Sequence, residues 1–210
     1  MPGWRVPRPR EPGHGSVPGA CPPTREFPVD SEILTARLRI RPWRSEDLAP
    51  LSEIFAKPEM WRYPFGRGFT PQETELFLLR KIEAQRRDGP RPGAAEERST
   101  GRLLGYIMLA PPDWLPEVMP TVEIGWRLDP TVWSQGLASE GARAMLDYGF
   151  DELALPEILS IYEPDNVASG RVMEKIGMQV EHDTVHPYFD RPLRIYRMSR
   201  HQWETLRQAP

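Results

Sequence analysis

The sequence has few of the features that mark exported, metal-binding or membrane-spanning proteins. Cys21 is the single cysteine, so no disulfide can form within one chain. The four histidines lack a zinc-ligand spacing and have no partner cysteines, which argues against a metal centre. No apolar run approaches the length of a membrane span, and the N-terminus shows no apolar signal segment. We therefore expect a cytoplasmic protein without a metal or a membrane anchor.

The charge balance lacks the basic excess that nucleic-acid binding usually requires. The chain has 27 Lys and Arg against 30 Asp and Glu, which gives a formal net charge of −3. A domain that neutralises phosphates along a nucleic acid is normally strongly basic. We therefore expect no nucleic-acid partner, and 210 residues are enough for one domain of ordinary size.

Proline is concentrated at the N-terminus, where residues 1–30 contain eight of the 25 prolines. Such a segment has few backbone donors and no apolar periodicity, so it cannot build a core. We predict a disordered or polyproline-like tail over residues 1–30 and a single domain over residues 31–210. Docking of a partner by this tail is a weaker alternative.

Strand and helix patterns alternate from residue 34 onward. Leu34–Pro42, Leu103–Ala110, Thr121–Leu128 and Ile158–Tyr162 have strand character, and residues 178–185 and 193–198 predict two more strands. Helical patterns follow Ser45, Thr70, Gly136 and Asn166, with Ser45 and Asn166 as predicted helix caps and Thr70 with Glu73 as a predicted capping box. The weakly patterned residues 89–101 leave an edge strand and a loop equally open. This order of elements predicts a mixed α/β sheet.

A glycine turn joins the strand Val122–Leu128 to the helix pattern Leu137–Phe150. Unpaired backbone N–H groups and the positive end of the helix dipole converge at such a turn and suit a phosphate or pyrophosphate. Gly136 lets the backbone approach that group because it has no Cβ. The alternative is an ordinary connection between a strand and a helix.

Glu123 stands inside an apolar strand between Val122 and Ile124. A buried carboxylate is costly unless it is paired or used, which makes Glu123 a candidate general base. The alternatives are that it faces solvent or that it pairs with an arginine.

Four stretches in this order resemble the GNAT superfamily of acyl-CoA N-acyltransferases, and in particular its RimJ/RimL-like branch. They are Leu34–Pro42 with Ser45–Leu48, then Glu123–Trp126, then Trp133–Glu140, and finally Asn166–Ser169 with Glu174–Met178. The third stretch resembles the pyrophosphate loop, (Gln/Arg)-x-x-Gly-x-(Gly/Ala), with Trp133 in place of the first polar residue. Aromatic residues at that position occur in the RimJ/RimL-like branch.

The resemblance implies a mixed, mostly antiparallel sheet of six to seven strands, splayed in the middle and flanked by helices. It implies acetyl-CoA as the cofactor, with its pantetheine arm lodged in the splay. The arm would pair with the backbone of Trp126, Arg127 and Leu128 and with the Asn166 side chain, which also caps a helix. The diphosphate would be held by Gln135, Gly136, Leu137, Ala138 and Ser139.

One catalytic residue of the wider family is missing. The tyrosine that many members use as the general acid falls at Met173, which cannot donate a proton. We predict that Ser169 protonates the leaving thiolate instead, with Tyr162 as a weaker candidate and a merely structural Ser169 as the alternative.

The acceptor pocket is predicted only weakly, from aromatic residues in two loops. Trp61, Tyr63 and Phe65 precede the second helix, and His186, Tyr188 and Phe189 lie between the last two strands. We assign acceptor contacts to Trp61, Tyr63 and Tyr188. Lids of the core are the competing explanation for all of them.

Together these observations predict an acetyl-CoA-dependent N-acetyltransferase acting on a primary amine, either a protein N-terminus or a small molecule. An amine would attack the thioester directly in a ternary complex, because Cys21 lies in the tail and cannot be a nucleophile. An α-amino group has a pKa of about 8 and a lysine about 10.4, so one carboxylate is better matched to the first. A CoA-binding module without turnover is the alternative, and a homodimer is possible.

Overall fold

The computed structural model describes residues 32–89 and 91–208. The predicted tail, residues 1–30, lies outside these ranges, so the division into tail and domain stays a prediction. Every helix in these two ranges is too short or too polar to span a lipid bilayer. The same residues contain no group of three or more histidine, cysteine or acidic side chains placed to hold a metal ion.

Eight strands and five α-helices make up the described chain. In order they are β1 (Ile33–Leu34), β2 (Leu38–Arg41), α1 (Leu48–Phe55), α2 (Pro71–Asp88), β3 (Ala94–Glu97), β4 (Leu103–Ala110), β5 (Glu123–Leu128), α3 (Leu137–Asp147), β6 (Glu157–Tyr162), α4 (Val167–Lys175), β7 (Gln179–Val185), β8 (Pro192–Ser199) and α5 (Arg200–Gln208). A π-helical turn, Tyr148–Glu152, continues α3.

All eight strands form one sheet in the order β1-β2-β3-β4-β5-β6-β8-β7. Every neighbouring pair is antiparallel except β5 and β6, which run parallel. The predicted fold class is confirmed. The count exceeds the predicted six to seven because residues 34–42 are not one strand: the chain turns back after Leu34, and β1 pairs with β2.

The undecided segment 89–101 contains a strand, and it lies inside the sheet rather than at its edge. β3 pairs with β2 on one side and with β4 on the other. Its Glu96 is only 7% exposed and forms an ion pair with the Arg41 guanidinium, which also holds Asp47. Because a buried glutamate interrupts the run of apolar residues, hydrophobic periodicity alone does not reveal this strand.

Three helix starts were predicted from capping residues, and those at Thr70 and Asn166 are confirmed. Thr70 Oγ accepts from Glu73 N–H and Glu73 returns a bond to Thr70 N–H, so α2 begins with a full capping box. The prediction that Ser45 caps a helix is wrong. Ser45 begins a short 3-10 turn, and it is the Asp47 carboxylate that accepts from Arg44 N–H, while Arg41 holds the same carboxylate.

The helices divide the core into two layers, one on each face of the sheet. On one face α3, α4 and α5 cover Ile124, Leu128, Ile158 and their neighbours. On the other face α1, α2 and an aromatic segment, residues 58–69, cover Leu103 and Tyr106. Side chains on the two faces of β5 therefore pack toward different helices. This arrangement determines which side chains surround the site described next.

Candidate active site

The sheet opens between β5 and β6, which are joined by a single ladder pair, Glu123 with Leu159. Leu159 N–H donates to the Val122 carbonyl at 3.0 Å. One residue further along, the Ser160 hydroxyl donates to the Ile124 carbonyl at 2.9 Å, so a side chain replaces the ladder bond. Beyond this point the two strands separate and leave a gap.

Trp126 presents its backbone to that gap. Asp129 N–H donates to the Leu104 carbonyl at 2.7 Å, and bonded pairs alternate along an antiparallel ladder. Arg127 and Gly125 therefore bond toward β4, and Trp126 faces away from it. The Leu128 carbonyl, which faces the same way, accepts from Trp133 Nε1 at 2.6 Å. An amide-bearing chain in the gap would therefore meet the backbone of Trp126.

Arg127 does not face the gap, against the prediction that its backbone contacts the cofactor arm. Its backbone pairs with Tyr106 of β4. Its guanidinium donates to the carbonyls of Met60 and Tyr63 and lies 4.3 Å from the centre of the Trp61 ring. Arg127 therefore fixes the aromatic segment to β5.

The turn before α3 has the geometry of an anion cradle. Gly136 adopts φ +80°, a left-handed conformation that favours glycine, and a Cβ there would approach only the Arg37 guanidinium, at 3.6 Å. The first helical hydrogen bond runs from Glu140 N–H to the Gly136 carbonyl. The N–H groups of Leu137, Ala138 and Ser139 thus have no acceptor inside the helix.

Arg37 braces this turn, and the sequence pattern did not single it out. Its Nη1 donates to the Gln135 carbonyl at 2.9 Å, and its Nε donates to the Glu140 carboxylate at 2.7 Å. The Thr35 hydroxyl donates to the same carboxylate at 2.6 Å. The Gln135 side chain is exposed and makes only a long contact with the Thr131 carbonyl, whereas Ser139 is 4% exposed. The predicted donors that this geometry favours are backbone groups.

Glu123 points toward the other face of the sheet, the one covered by α2. Its carboxylate accepts hydrogen bonds from Ile161 N–H and from the Trp114 side chain. Burial raises the pKa of Glu123 to about 7, and the charges of Arg127 and Lys81 oppose that rise. Glu123 is therefore neither a solvent-facing residue nor a simple partner of one arginine. It is a carboxylate that takes up a proton near neutral pH.

Trp114 is a site residue that the sequence analysis missed, because it lies in a loop rich in proline with no periodic pattern. Its ring stacks on His186, with the ring centres 4.8 Å apart. The His186 ring is held in turn by Tyr188 N–H, which donates to Nδ1 at 3.2 Å. Burial and the charge of Arg191 lower the pKa of His186, so a neutral imidazole supports the tryptophan.

Gly125 leaves an open space between Glu123 and Arg127. These three residues alternate with Ile124 and Trp126, so all three face α2. A Cβ on Gly125 would meet no atom within 4 Å. The face of β5 that carries the carboxylate therefore has room for a small group beside it.

Asn166 and Ser169 lie at the start of α4, at the far end of β6. Asn166 Oδ1 accepts from Ser169 N–H at 3.4 Å, which confirms the predicted cap. Within residues 32–89 and 91–208, the Ser169 hydroxyl has no protein hydrogen bond, and Ser169 is half-buried. Met173 is 1% exposed in the core, and Tyr162 places its hydroxyl 3.0 Å from where a Cβ on Gly170 would stand.

A pocket of about 340 Å³ lies at the far edge of the sheet, whereas a larger one, about 710 Å³, lies on the α2 side. Four phenylalanines and five charged residues line the larger pocket: Phe65, Phe69, Phe77, Phe189, Arg67, Glu73, Arg80, Lys81 and Arg191. Phe189 contacts His186, with the ring centres 4.5 Å apart, and so joins the pocket to the support of Glu123.

The three residues predicted to contact the acceptor do not line this pocket. Trp61 is 5% exposed and stacks on Phe69 with the ring centres 3.7 Å apart, so it supports the wall from behind. The Tyr63 hydroxyl donates to the Asp165 carbonyl at 3.0 Å and ties the aromatic segment to the β6–α4 loop. Tyr188 is 61% exposed. Trp61 is thus buried by apolar packing, Tyr63 is engaged by a backbone carbonyl, and Tyr188 is exposed to solvent.

Comparison with known proteins agrees with this geometry. Residues 37–179 match the family model described as Acetyltransferase (GNAT) domain. Uncharacterized N-acetyltransferase YnaD of Bacillus subtilis is 32% identical over 149 residues, which cover 71% of this chain and 83% of that protein. This chain belongs to the GNAT acetyltransferase family.

Solved structures agree as well. A GNAT acetyltransferase from Bacillus anthracis aligns with TM-score 0.69 and 29% identity, covering 81% of this chain and 99% of that one. RimL, the ribosomal L7/L12 alpha-N-protein acetyltransferase, in complex with coenzyme A, aligns with TM-score 0.64 and 15% identity over 80% and 97% of the two chains. The chain is an acetyl-CoA-dependent N-acetyltransferase with the fold of the RimJ/RimL-like branch.

Proposed function

We propose that this enzyme moves an acetyl group from acetyl-CoA to a primary amine by direct attack in a ternary complex. In this proposal Glu123 is the general base and Ser169 the general acid. The observation that carries it is the Glu123 carboxylate, fixed by Trp114 and Ile161 N–H beside the open space at Gly125, with a pKa of about 7.

The residues around the β5–β6 gap fit coenzyme A. The turn at Gly136 offers free N–H groups and room for a diphosphate, and Trp126 offers an unpaired strand edge for the pantetheine amides. When bound, acetyl-CoA supplies a thioester carbonyl activated for attack by nitrogen. We assign the arm to Trp126 and Asn166 and the diphosphate to the backbone of residues 135–139.

Glu123 would remove one proton from the attacking amine. The new N–C bond forms as the C–S bond breaks, and the amine proton passes to the Glu123 carboxylate directly or through one water. A base with a pKa near 7 is ionised in about half of the molecules at neutral pH and more above it. This suits an α-amine, with a pKa of about 8, better than a lysine side chain.

Ser169 would give its proton to the leaving thiolate and recover it from solvent. Its hydroxyl is half-buried and has no protein partner among the residues that the structure describes, so it is available. Tyr162 is less suited to this role because its hydroxyl is engaged with Tyr196 and Arg194.

The acceptor would be a protein N-terminus or a small amine that enters from the α2 side. A cytoplasmic location and a homodimer remain predictions from the sequence.

The test is a thiol-release assay with acetyl-CoA over a panel of primary amines. Glu123→Gln should lower kcat by roughly 10²- to 10⁴-fold, the usual contribution of a general base, while CoA still raises Tm. Glu53→Gln, an exposed carboxylate on α1, is the matched control and should leave kcat unchanged.

Ser169→Ala should lower kcat more than Tyr162→Phe does, because only the serine hydroxyl is unengaged. Full activity of Glu123→Gln on every amine that the wild-type enzyme acetylates would overturn the proposed mechanism. Absence of turnover on all amines, with CoA bound, would overturn the proposed function.

A further inference from the structure

One face of α2 forms the floor of the 710 Å³ pocket. Glu73, Leu76, Phe77 and Arg80 are spaced by three, four and seven residues from the first, so they share one side of the helix. Apolar side chains stand in the middle of this floor, and a cationic side chain stands at its end. The pocket thus has an apolar body and a charged rim.

Most of the charges around the pocket are already neutralised. Glu73 is bound by both terminal nitrogens of Arg67, at 2.6 and 2.8 Å, and Arg67 holds the pKa of that carboxyl at about 2. Arg191 pairs with Glu163 at 3.0 Å. These pairs carry no net charge and so do not decide what the pocket binds.

Arg80 and Lys81 are the two cations left over. Lys81 lies 5.3 Å from the centre of the Phe77 ring. Burial lowers the pKa of Lys81, and the Glu123 and Asp113 carboxylates oppose that shift. Arg80 is exposed at the rim, and no ion pair or hydrogen bond engages it within the described ranges. A bound acceptor would therefore meet an uncompensated guanidinium.

Two lining residues connect the pocket to the proposed base, although Glu123 itself is not part of the lining. Lys81 lines the pocket and interacts electrostatically with Glu123. Phe189 also lines it and contacts His186, which supports Trp114 and through it the same carboxylate. An acceptor that extends from the pocket past Lys81 would have one end at Glu123 and the other at the rim.

We propose that the acceptor is an amine that also carries an anionic group, a carboxylate or a phosphate, separated from the amine by an apolar segment. This inference rests on the proposed function. The amine would lie at Glu123, the apolar segment against Phe77 and Phe189, and the anion on Arg80. A guanidinium binds both anions through paired N–H donors. A polycationic amine would be repelled at the same place.

The test compares matched amines that differ only in one remote charge. Phenethylamine is the neutral member, and its para-carboxylate, para-phosphate and para-trimethylammonium derivatives each keep a single acceptor amine. We expect kcat/KM of the better anionic member to exceed that of phenethylamine by about tenfold or more, as an opposite charge at a partly exposed site predicts. The trimethylammonium member should be the poorest, and raised salt should shrink the difference.

Substitutions at Arg80 should change the selectivity ratio, the kcat/KM of the anionic amine divided by that of phenethylamine. Arg80→Gln should bring the ratio close to one, Arg80→Glu should invert it and Arg80→Lys should keep most of it. Arg86→Gln removes an exposed arginine from the last turn of the same helix and is the matched control, with no change in the ratio. The Tm increase produced by CoA shows that each variant is folded.

Two failures can be told apart. If amines are acetylated but the neutral or cationic member is preferred, or if Arg80→Gln leaves the ratio unchanged, the acceptor inference is wrong and the proposed function stands. If no member of the panel or any other primary amine is acetylated, the proposed function fails, and the acceptor inference fails with it. Selectivity for only one of the two anions identifies which group the rim binds.

Discussion

The open edge of β5 and its α2 face contribute to the site in different ways. At the edge, beside the gap to β6, the strand and the following turn offer backbone groups: those of Trp126 and the N–H groups after Gly136. Toward α2 the same strand offers side chains, with Glu123 held by Trp114 beside the empty space at Gly125. The edge suits a cofactor shared by a whole family, and the α2 face can vary with the acceptor.

The difference explains why substitutions should separate the two functions. A change on the α2 face should affect acetyl transfer and spare CoA binding. A change in the Gly136 turn should weaken CoA binding and leave turnover at saturation less affected.

Of three substitutions that compare these two parts of β5 and its turn, Gly125→Leu should have the largest effect, because it places an isobutyl group in the space beside Glu123. The position has no left-handed backbone requirement, so the strand can accept the side chain. Displacing the amine by about 1 Å can cost on the order of 10²-fold in kcat/KM. Steady-state kinetics should show this loss, and Gly125→Ala should show a smaller one. A fully active Gly125→Leu enzyme would mean that the amine binds elsewhere.

A smaller effect is expected from Gly136→Val, measured as the Kd for CoA by calorimetry. A β-branched residue at φ +80° is strained, so the turn should relax away from the cradle in the free protein. Restoring the cradle on binding would then cost up to about 1–3 kcal/mol, which corresponds to at most about 5- to 150-fold in Kd. Gly101→Val is the control, since Gly101 also has a left-handed φ but lies in a turn outside the site. It should lower Tm without altering the Kd.

The smallest effect is expected from Gln135→Ala in the same turn. Its side chain makes only one long contact, and the cradle is formed by backbone groups. The Kd for CoA should change by less than about twofold, in line with an exposed side chain. A loss as large as that of Gly136→Val would show that the diphosphate is held by side chains instead.

The sequence predicted the backbone-built half of the site better than the side-chain half. Left-handed glycine at position 136, the Thr70 capping box and the Asn166 cap all follow from local chemistry that involves a few neighbouring residues. These features do not depend on contacts between distant segments, so the residue types at neighbouring positions are enough to predict them.

The α2 side depends on contacts between segments far apart in the chain. Trp114 and Glu123 meet through a loop without pattern, and Arg41 compensates Glu96 from another strand. Trp61 was placed in the acceptor site although it packs beneath Arg127 and Phe69. Aromatic residues in a loop suggest a binding site and a core lid equally, and only tertiary packing decides between them.

Folding stability provides an independent view of Glu123. Burial raises the pKa of Glu123 from its ordinary value of 4.5 to about 7, so the folded protein favours the protonated carboxyl. The contribution of Glu123 to the free energy of unfolding is therefore complete below a pH of about 4.5 and is lost as pH rises through about 7. Glu123→Gln should therefore leave Tm unchanged at pH 4 and raise it above pH 7.

The pH dependence of kcat/KM tests the role of Glu123 most directly. With an acceptor whose amine titrates well away from neutrality, the wild-type enzyme should lose activity below an apparent pKa of about 7, because the protonated carboxyl cannot accept the amine proton. In Glu123→Gln the residual activity should no longer show this inflection. If the variant kept both the inflection near pH 7 and the wild-type rate, Glu123 would not be the base.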